Sequence, residues 1–198
     1  MAGRGLAGDE GAGAGQAVMS RAGSASLLFI AAILSLSESN APLGARLKLR
    51  WGRDTVTFTE SGKTHQLLIR QYFHAAHIAA VKLQSAKEAG GFIYLLLDVT
   101  GPSKDQPDNH QCGAGTEADL VWLKLDKDWK VTEGRNFPYE SCWSTISSYD
   151  DPAWHGDTLS VIADYVREGG STATKEASYN YKHPDEGLKI TEAAEKKK

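Results

Sequence analysis

Apolar residues along most of this chain fall at every second position in short runs, with Gly, Asp, Asn or Pro between the runs. Residues 47–50 (LKLR) alternate. Residues 55–59 (TVTFT) are rich in β-branched side chains and meet residues 66–69 (QLLI) across Glu60-Ser61-Gly62-Lys63, a short hairpin signal. Residues 71–89 carry two periods at once. Phe73, His77, Ala80 and Lys87 fit one helical face, whereas residues 77–84 (HIAAVKLQ) alternate, and the Ala89-Gly90-Gly91 turn that follows favours a strand over 78–84. Residues 92–99 (FIYLLLDV) read as a central strand by length and composition, and a hairpin pairs the two. After a loop at 101–110, residues 119–125 (DLVWLKL) and 129–131 form a second hairpin across Asp126-Lys127-Asp128. Further short strands are expected at 158–162, 178–181 and 188–190.

About eight strands with no periodic helix between them predict an all-β chain, a single antiparallel β-sandwich or barrel-like domain. Trp122, Phe92, Tyr94 and Trp143 are expected in its core, and Trp51, Trp129 and Trp154 at sheet edges or facing a ligand. No repeat period marks a propeller or solenoid.

The start of the chain follows a different pattern. Residues 1–18 are mostly Gly and Ala, too poor in large apolar groups to offset the entropy of ordering, so they are expected to be disordered. From Met19 the text reads as a secretory signal: Arg21, an apolar stretch at 27–36, then small residues to Ala41. Met19 is thus the expected biological start, with residues 19–41 a cleavable signal peptide, 42–191 the β-domain and 192–198 a fraying tail. The apolar stretch holds ten residues, too few to cross a bilayer core of about 30 Å, so the mature chain is expected to have no membrane span and to be periplasmic or secreted.

Charge and cysteine content narrow the picture further. The 198 residues carry 22 Lys+Arg against 25 Asp+Glu, a formal net charge of −3, with no basic block beyond Lys196, Lys197 and Lys198, so nucleic acid is not an expected partner. Cys112 and Cys142 are the only cysteines, and an even count in an exported chain predicts one disulfide. The loop it closes, about 31 residues, is worth roughly 3.7 kcal/mol in the chain-entropy picture.

The candidate chemistry is sparse. No G-x-S-x-G, H-E-x-x-H, phosphate-binding or calcium-binding signature occurs, so the sequence leans away from an enzyme and calls for no cofactor. His110 beside Cys112 supplies too few ligands in the wrong spacing for zinc, and no metal site is expected. His74-x-x-His77 reads as two polar residues at a strand entry. Glu117 and Asp119 precede a strand, and Glu140 sits near Cys142; Glu117 and Glu140, if brought together by the disulfide, form the minimal carboxylate pair of a glycoside hydrolase. Glu117, Trp129 and Glu140 are therefore the weak surface-site candidates.

The run His110-Gln-Cys-Gly-Ala-Gly-Thr-Glu117, followed by Leu120-Val-Trp-Leu-Lys-Leu125 and Glu140-Ser-Cys142, resembles segments of uncharacterised exported bacterial proteins, and Tyr181-x-x-Pro184-x-x-Gly187 is similar to theirs. The resemblance covers about half the chain. It implies export and a paired Cys112 and Cys142, and no activity. The expected function is that of a non-catalytic binding or inhibitor-type module, acting on a protein or glycan of the cell envelope through loops at one end of the sheet. An envelope hydrolase and an accessory subunit of an envelope assembly are the alternatives.

Overall fold

A computed structural model describes residues 42–104, 115–167 and 169–192 of the chain. A one-turn helix α1 (Leu43–Arg46) leads into twelve strands: β1 (Lys48–Trp51), β2 (Thr55–Glu60), β3 (Lys63–Leu68), β4 (Ala80–Ala89), β5 (Phe92–Pro102), β6 (Thr116–Leu125), β7 (Val131–Glu140), β8 (Ile146–Tyr149), β9 (Ala153–His155), β10 (Thr158–Val166), β11 (Thr172–Asn180) and β12 (Lys189–Glu192). They form three antiparallel sheets, ordered β1-β2-β3, β4-β5-β6-β7 and β12-β11-β10-β8, with β9 also paired to β10. The all-β antiparallel architecture expected from the alternation is what forms. It is open and layered; none of the three sheets closes into a barrel.

The middle sheet is buried on both faces. On β5, Ile93, Leu95, Leu97 and Val99 join Val56, Phe58 and Leu67 of the first sheet in one core. The intervening Tyr94 and Leu96 join Leu159, Val161 and Tyr179 of the third sheet in another. β6 repeats the division, with Val121, Leu123 and Leu125 on one side and Leu120 and Trp122 on the other. This double burial explains why FIYLLLDV and DLVWLKL are nearly continuous apolar runs while TVTFT alternates: a strand with two dry faces has no solvent side to fill with polar residues.

Trp122 is fully buried, and its Nε1 donates to the Pro184 carbonyl at 3.0 Å. Gly187, in the left-handed region at φ 71°, lies over that indole; a Cβ there would come within 3.4 Å of it. Tyr94 is buried as expected, whereas Phe92 only packs against the edge of the second core. Trp143 departs from expectation, because it lies in the turn after β7, half-buried, donating to the Lys104 carbonyl at 3.2 Å. Trp129 departs the other way: it is 7% exposed, stacked on His65 at 4.4 Å and tilted against Phe58.

The ambiguous stretch resolves into two pieces. Residues 73–79 form an irregular strap, tied to the end of β5 by Ala76 N–H to the Pro102 carbonyl (2.8 Å) and Ala79 N–H to the Thr100 carbonyl (2.9 Å). β4 follows, starting two residues later than the alternation suggested and running on to Ala89. The strap passes so close to β5 that a Cβ on Gly101 would overlap the His77 carbonyl oxygen. At the other end of the chain β12 includes Glu192; residues 193–198, like 1–41 and the 105–114 segment with His110 and Cys112, lie outside the described residues.

Candidate functional site

Two places concentrate polar groups, at opposite ends of the middle sheet. The first lies where three hairpin turns from two layers converge: the β2–β3 turn, the Gly90-Gly91 turn of β4–β5 and the β6–β7 turn at 126–130. Between them is a cleft of about 570 Å³ whose walls include Glu60, Lys63, His65, Glu88, Lys127 and Trp129. Gly90 and Gly91 both have positive φ, at 58° and 79°, and open space where a Cβ would stand, so this wall is bare backbone. Trp129, itself at φ 62°, is fixed by Asp126: the Trp129 N–H donates to the Asp126 carbonyl at 3.0 Å, and Asp126 Oδ1 accepts the N–H groups of Asp128 and Lys130, both at 2.9 Å. The indole thus lines the cleft by its rim while its face is spent on His65 and Phe58. Arg46 of α1 supports the carboxylates, pairing with Glu60 at 3.0 Å and Glu88 at 3.5 Å.

The second place is at the start of β6. Glu117 and Asp119 alternate in phase with Val121 and Leu123, so both point toward the same buried layer, and they are 0% and 1% exposed. Asp119 accepts three bonds: from the His74 backbone N–H (2.8 Å), from His74 Nδ1 (2.7 Å) and from Asn136 Nδ2 (2.9 Å). A carboxylate has no proton to give, so Nδ1 is the donor and Nε2 is the nitrogen that titrates. The bond to Asp119 holds the His74 imidazolium above its ordinary pKa, with the charges of Asp119 and Glu117 adding, against partial burial and Lys104. Nearby, burial pushes the Tyr165 phenol up to about 12, the Asp119 charge adding, and its hydroxyl donates to the Pro138 carbonyl.

Glu117 Oε1 accepts Ser103 Oγ at 2.7 Å and the Cys142 N–H at 3.2 Å, while its buried Oε2 has no partner among the described residues. Glu140, opposite Ala118 on the neighbouring strand, is engaged by the Tyr149 hydroxyl. The two glutamates singled out in the sequence are therefore close in register but committed to different partners. His74 and Asp119, read as unrelated polar residues, are brought together. The signal for Asp119 was present in the text: an acidic pair at 117 and 119, in step with core-facing positions, marks carboxylates that must find donors. Nothing local to His74 announces its partner 45 residues away.

Among the described residues no group of three or more His, Cys, Asp or Glu side chains is arranged to hold a metal ion. No described helix is long and apolar enough to cross a membrane. No described cysteine is free, and Cys112 lies outside the described residues. No family model, curated protein or solved structure matches the chain.

Proposed function

We propose that this chain is an exported, non-catalytic binding module that holds a protein or polymer of the cell envelope in the cleft between its three hairpin turns. The observation that carries this reading is the convergence of turns from two separate layers on one concave site of about 570 Å³. Loops at one end of a layered β scaffold are a common place for recognition, because the sheets fix their positions while their side chains are free of core duties. The leader at 19–41 and the resemblance to exported bacterial proteins support the compartment, and a Cys112–Cys142 disulfide belongs to the same reading. Binding is favoured over hydrolysis because Glu117 is fully enclosed and the Glu140 carboxylate is already engaged.

The test has two parts. Intact mass of the protein recovered from the periplasm of a bacterial host is expected to match a start near Pro42, two hydrogens below the dithiol. The immobilised product is then expected to retain an envelope protein or glycan that a Lys63→Glu/Lys127→Glu variant does not. Retention of nothing from an envelope fraction at low salt defeats the reading.

A further inference from the structure

We propose that the hairpin cleft takes an acidic segment of a partner protein, with a carboxylate of that segment held by Lys63 and Lys127. The inference rests on the binding-module reading and names the chemistry of its partner. Four charged side chains stand in the cleft walls, Glu60, Glu88, Lys63 and Lys127, and they are not equivalent. Glu60 is opposite Lys63 in the β2–β3 register, where a cross-strand ion pair would form, yet its carboxylate is turned to Arg46 at 3.0 Å. Arg46 also reaches Glu88, so both acids draw on one cation from α1. Among the described residues neither Lys63 nor Lys127 has an ion-pair partner, and both are exposed. Asp126 and Asp128 flank Lys127 in sequence, but neither lines the cleft, and Asp126 Oδ1 is held by the N–H groups of its own turn. With Arg46 included the site carries one net positive charge, and the cations left open to a ligand are the two lysines.

The rest of the wall separates a peptide from other anions. The Glu88 side chain is 57% exposed and 3.5 Å from Arg46, so its carboxylate keeps lone pairs for incoming N–H groups. A peptide brings both partners, a side-chain carboxylate for the lysines and main-chain N–H groups for Glu88. A phosphate polymer brings acceptors alone and sets its further charges against Glu60 and Glu88. Gly90 and Gly91 have nothing within 4 Å of where a Cβ would stand, so a ligand backbone can come close to that wall. Ile93 and the rim of Trp129 add apolar surface, which suits an aliphatic side chain beside the acid. An acidic sugar is served less well, because the Trp129 face on which a ring would stack is spent on His65 and Phe58.

An NMR titration of the isotope-labelled protein tests this with the blocked peptide acetyl-Leu-Glu-Leu-Asp-Leu-amide, its Gln/Asn counterpart, inorganic tripolyphosphate and trigalacturonate. The acidic peptide is expected to shift the amide signals of Lys63, Gly90, Gly91 and Lys127, with a Kd at least about tenfold below that of the Gln/Asn peptide. Lys63→Gln/Lys127→Gln is expected to remove that difference and Lys63→Arg/Lys127→Arg to keep it, both variants unfolding in urea at the parent's midpoint. Equal Kd for the two peptides, no shift up to about 5 mM peptide, or indifference to Lys63→Gln/Lys127→Gln overturns the proposal. Tighter binding of tripolyphosphate or trigalacturonate than of the acidic peptide, at the same signals, overturns the peptide assignment. If the acidic peptide fails while an envelope protein is still retained by the wild type and lost in the Lys63→Glu/Lys127→Glu variant, this chemistry falls and the binding-module reading stands. Binding of the peptide with nothing retained from an envelope fraction supports the chemistry and defeats the envelope reading.

Discussion

His74 grips Asp119 twice, through its backbone N–H at 2.8 Å and its ring Nδ1 at 2.7 Å, so one buried carboxylate fixes both the course of the 73–79 strap and the tautomer of the imidazole it carries. The carboxylate is 1% exposed and the His74 side chain 48% exposed, which makes this a joint between a surface group and the interior.

That joint sets a pH dependence. Because the folded pKa of His74 is raised above the ordinary value of about 6.5, protonation favours the folded state. Its contribution is fully present below about pH 6.5 and is lost as pH rises through the folded pKa. The His74 Cε1 proton in an NMR titration is expected to show a midpoint above the ordinary value, and Asp119→Asn to return it downward. A midpoint unchanged by that substitution would mean that Asp119 does not set it.

Glu117 separates charge from hydrogen bonding. Glu117→Gln keeps an oxygen for Ser103 Oγ and the Cys142 N–H and removes a buried charge whose second oxygen has no partner among the described residues. Its stability at neutral pH is expected to stay within about 1 kcal/mol of the parent or to exceed it. Glu117→Ala strands two donors and leaves a void, and is expected to cost about 2–4 kcal/mol in urea unfolding.

Trp122 carries both a packing and a polar role. Trp122→Ala is expected to cost about 3–5 kcal/mol by opening the second core under Gly187. Trp122→Phe retains much of the volume but removes the indole donor from the Pro184 carbonyl, which keeps only the Gly187 N–H at 3.3 Å, and is expected to cost about 1–2 kcal/mol. Denaturant melts of the two variants separate the terms.

Gly101 is a site of close backbone approach. Adding one methyl group there forces the strap off β5, so Gly101→Ala is expected to lose at least about 2 kcal/mol. Because Ala75, Ala76 and His77 move with it, the His74 proton shift is expected to change in the same variant. Gly90→Ala is the converse case, with φ at 58° but open space around the added Cβ, and is expected to cost about 1 kcal/mol with no change at His74.

Much of the fold was legible because its information is local. Alternation in TVTFT and the Gly-containing turns placed β2, β3 and the two central hairpins. The lengths of β10 and β11 were underestimated, since Ala163, Asp164, Lys175 and Glu176 carry weak intrinsic strand signals and are held by cross-strand pairing across the Asp164–Thr174 register. The number of layers was also in the text, in the contrast between continuous and alternating apolar runs, but reading it requires knowing which strands share a sheet. Trp129 looked exposed because it sits between Asp128 and Lys130; only the fold supplies the His65 and Phe58 rings that cover it.

The double burial of the middle sheet bears on how the chain reaches this state. β4 to β7 form a meander of neighbours in sequence, so all the pairings of this sheet can form before either flank is in place. Until the flanking sheets arrive, that meander is a greasy plate wet on both sides, with Leu95 and Leu123 exposed on one surface and Leu96 and Trp122 on the other. Its flanks come from opposite ends of the domain, β1–β3 before it and β8–β12 after it. A chain emerging in order can shield one surface early, but the other stays open until β8–β12 have followed, and that interval is when it most needs a chaperone.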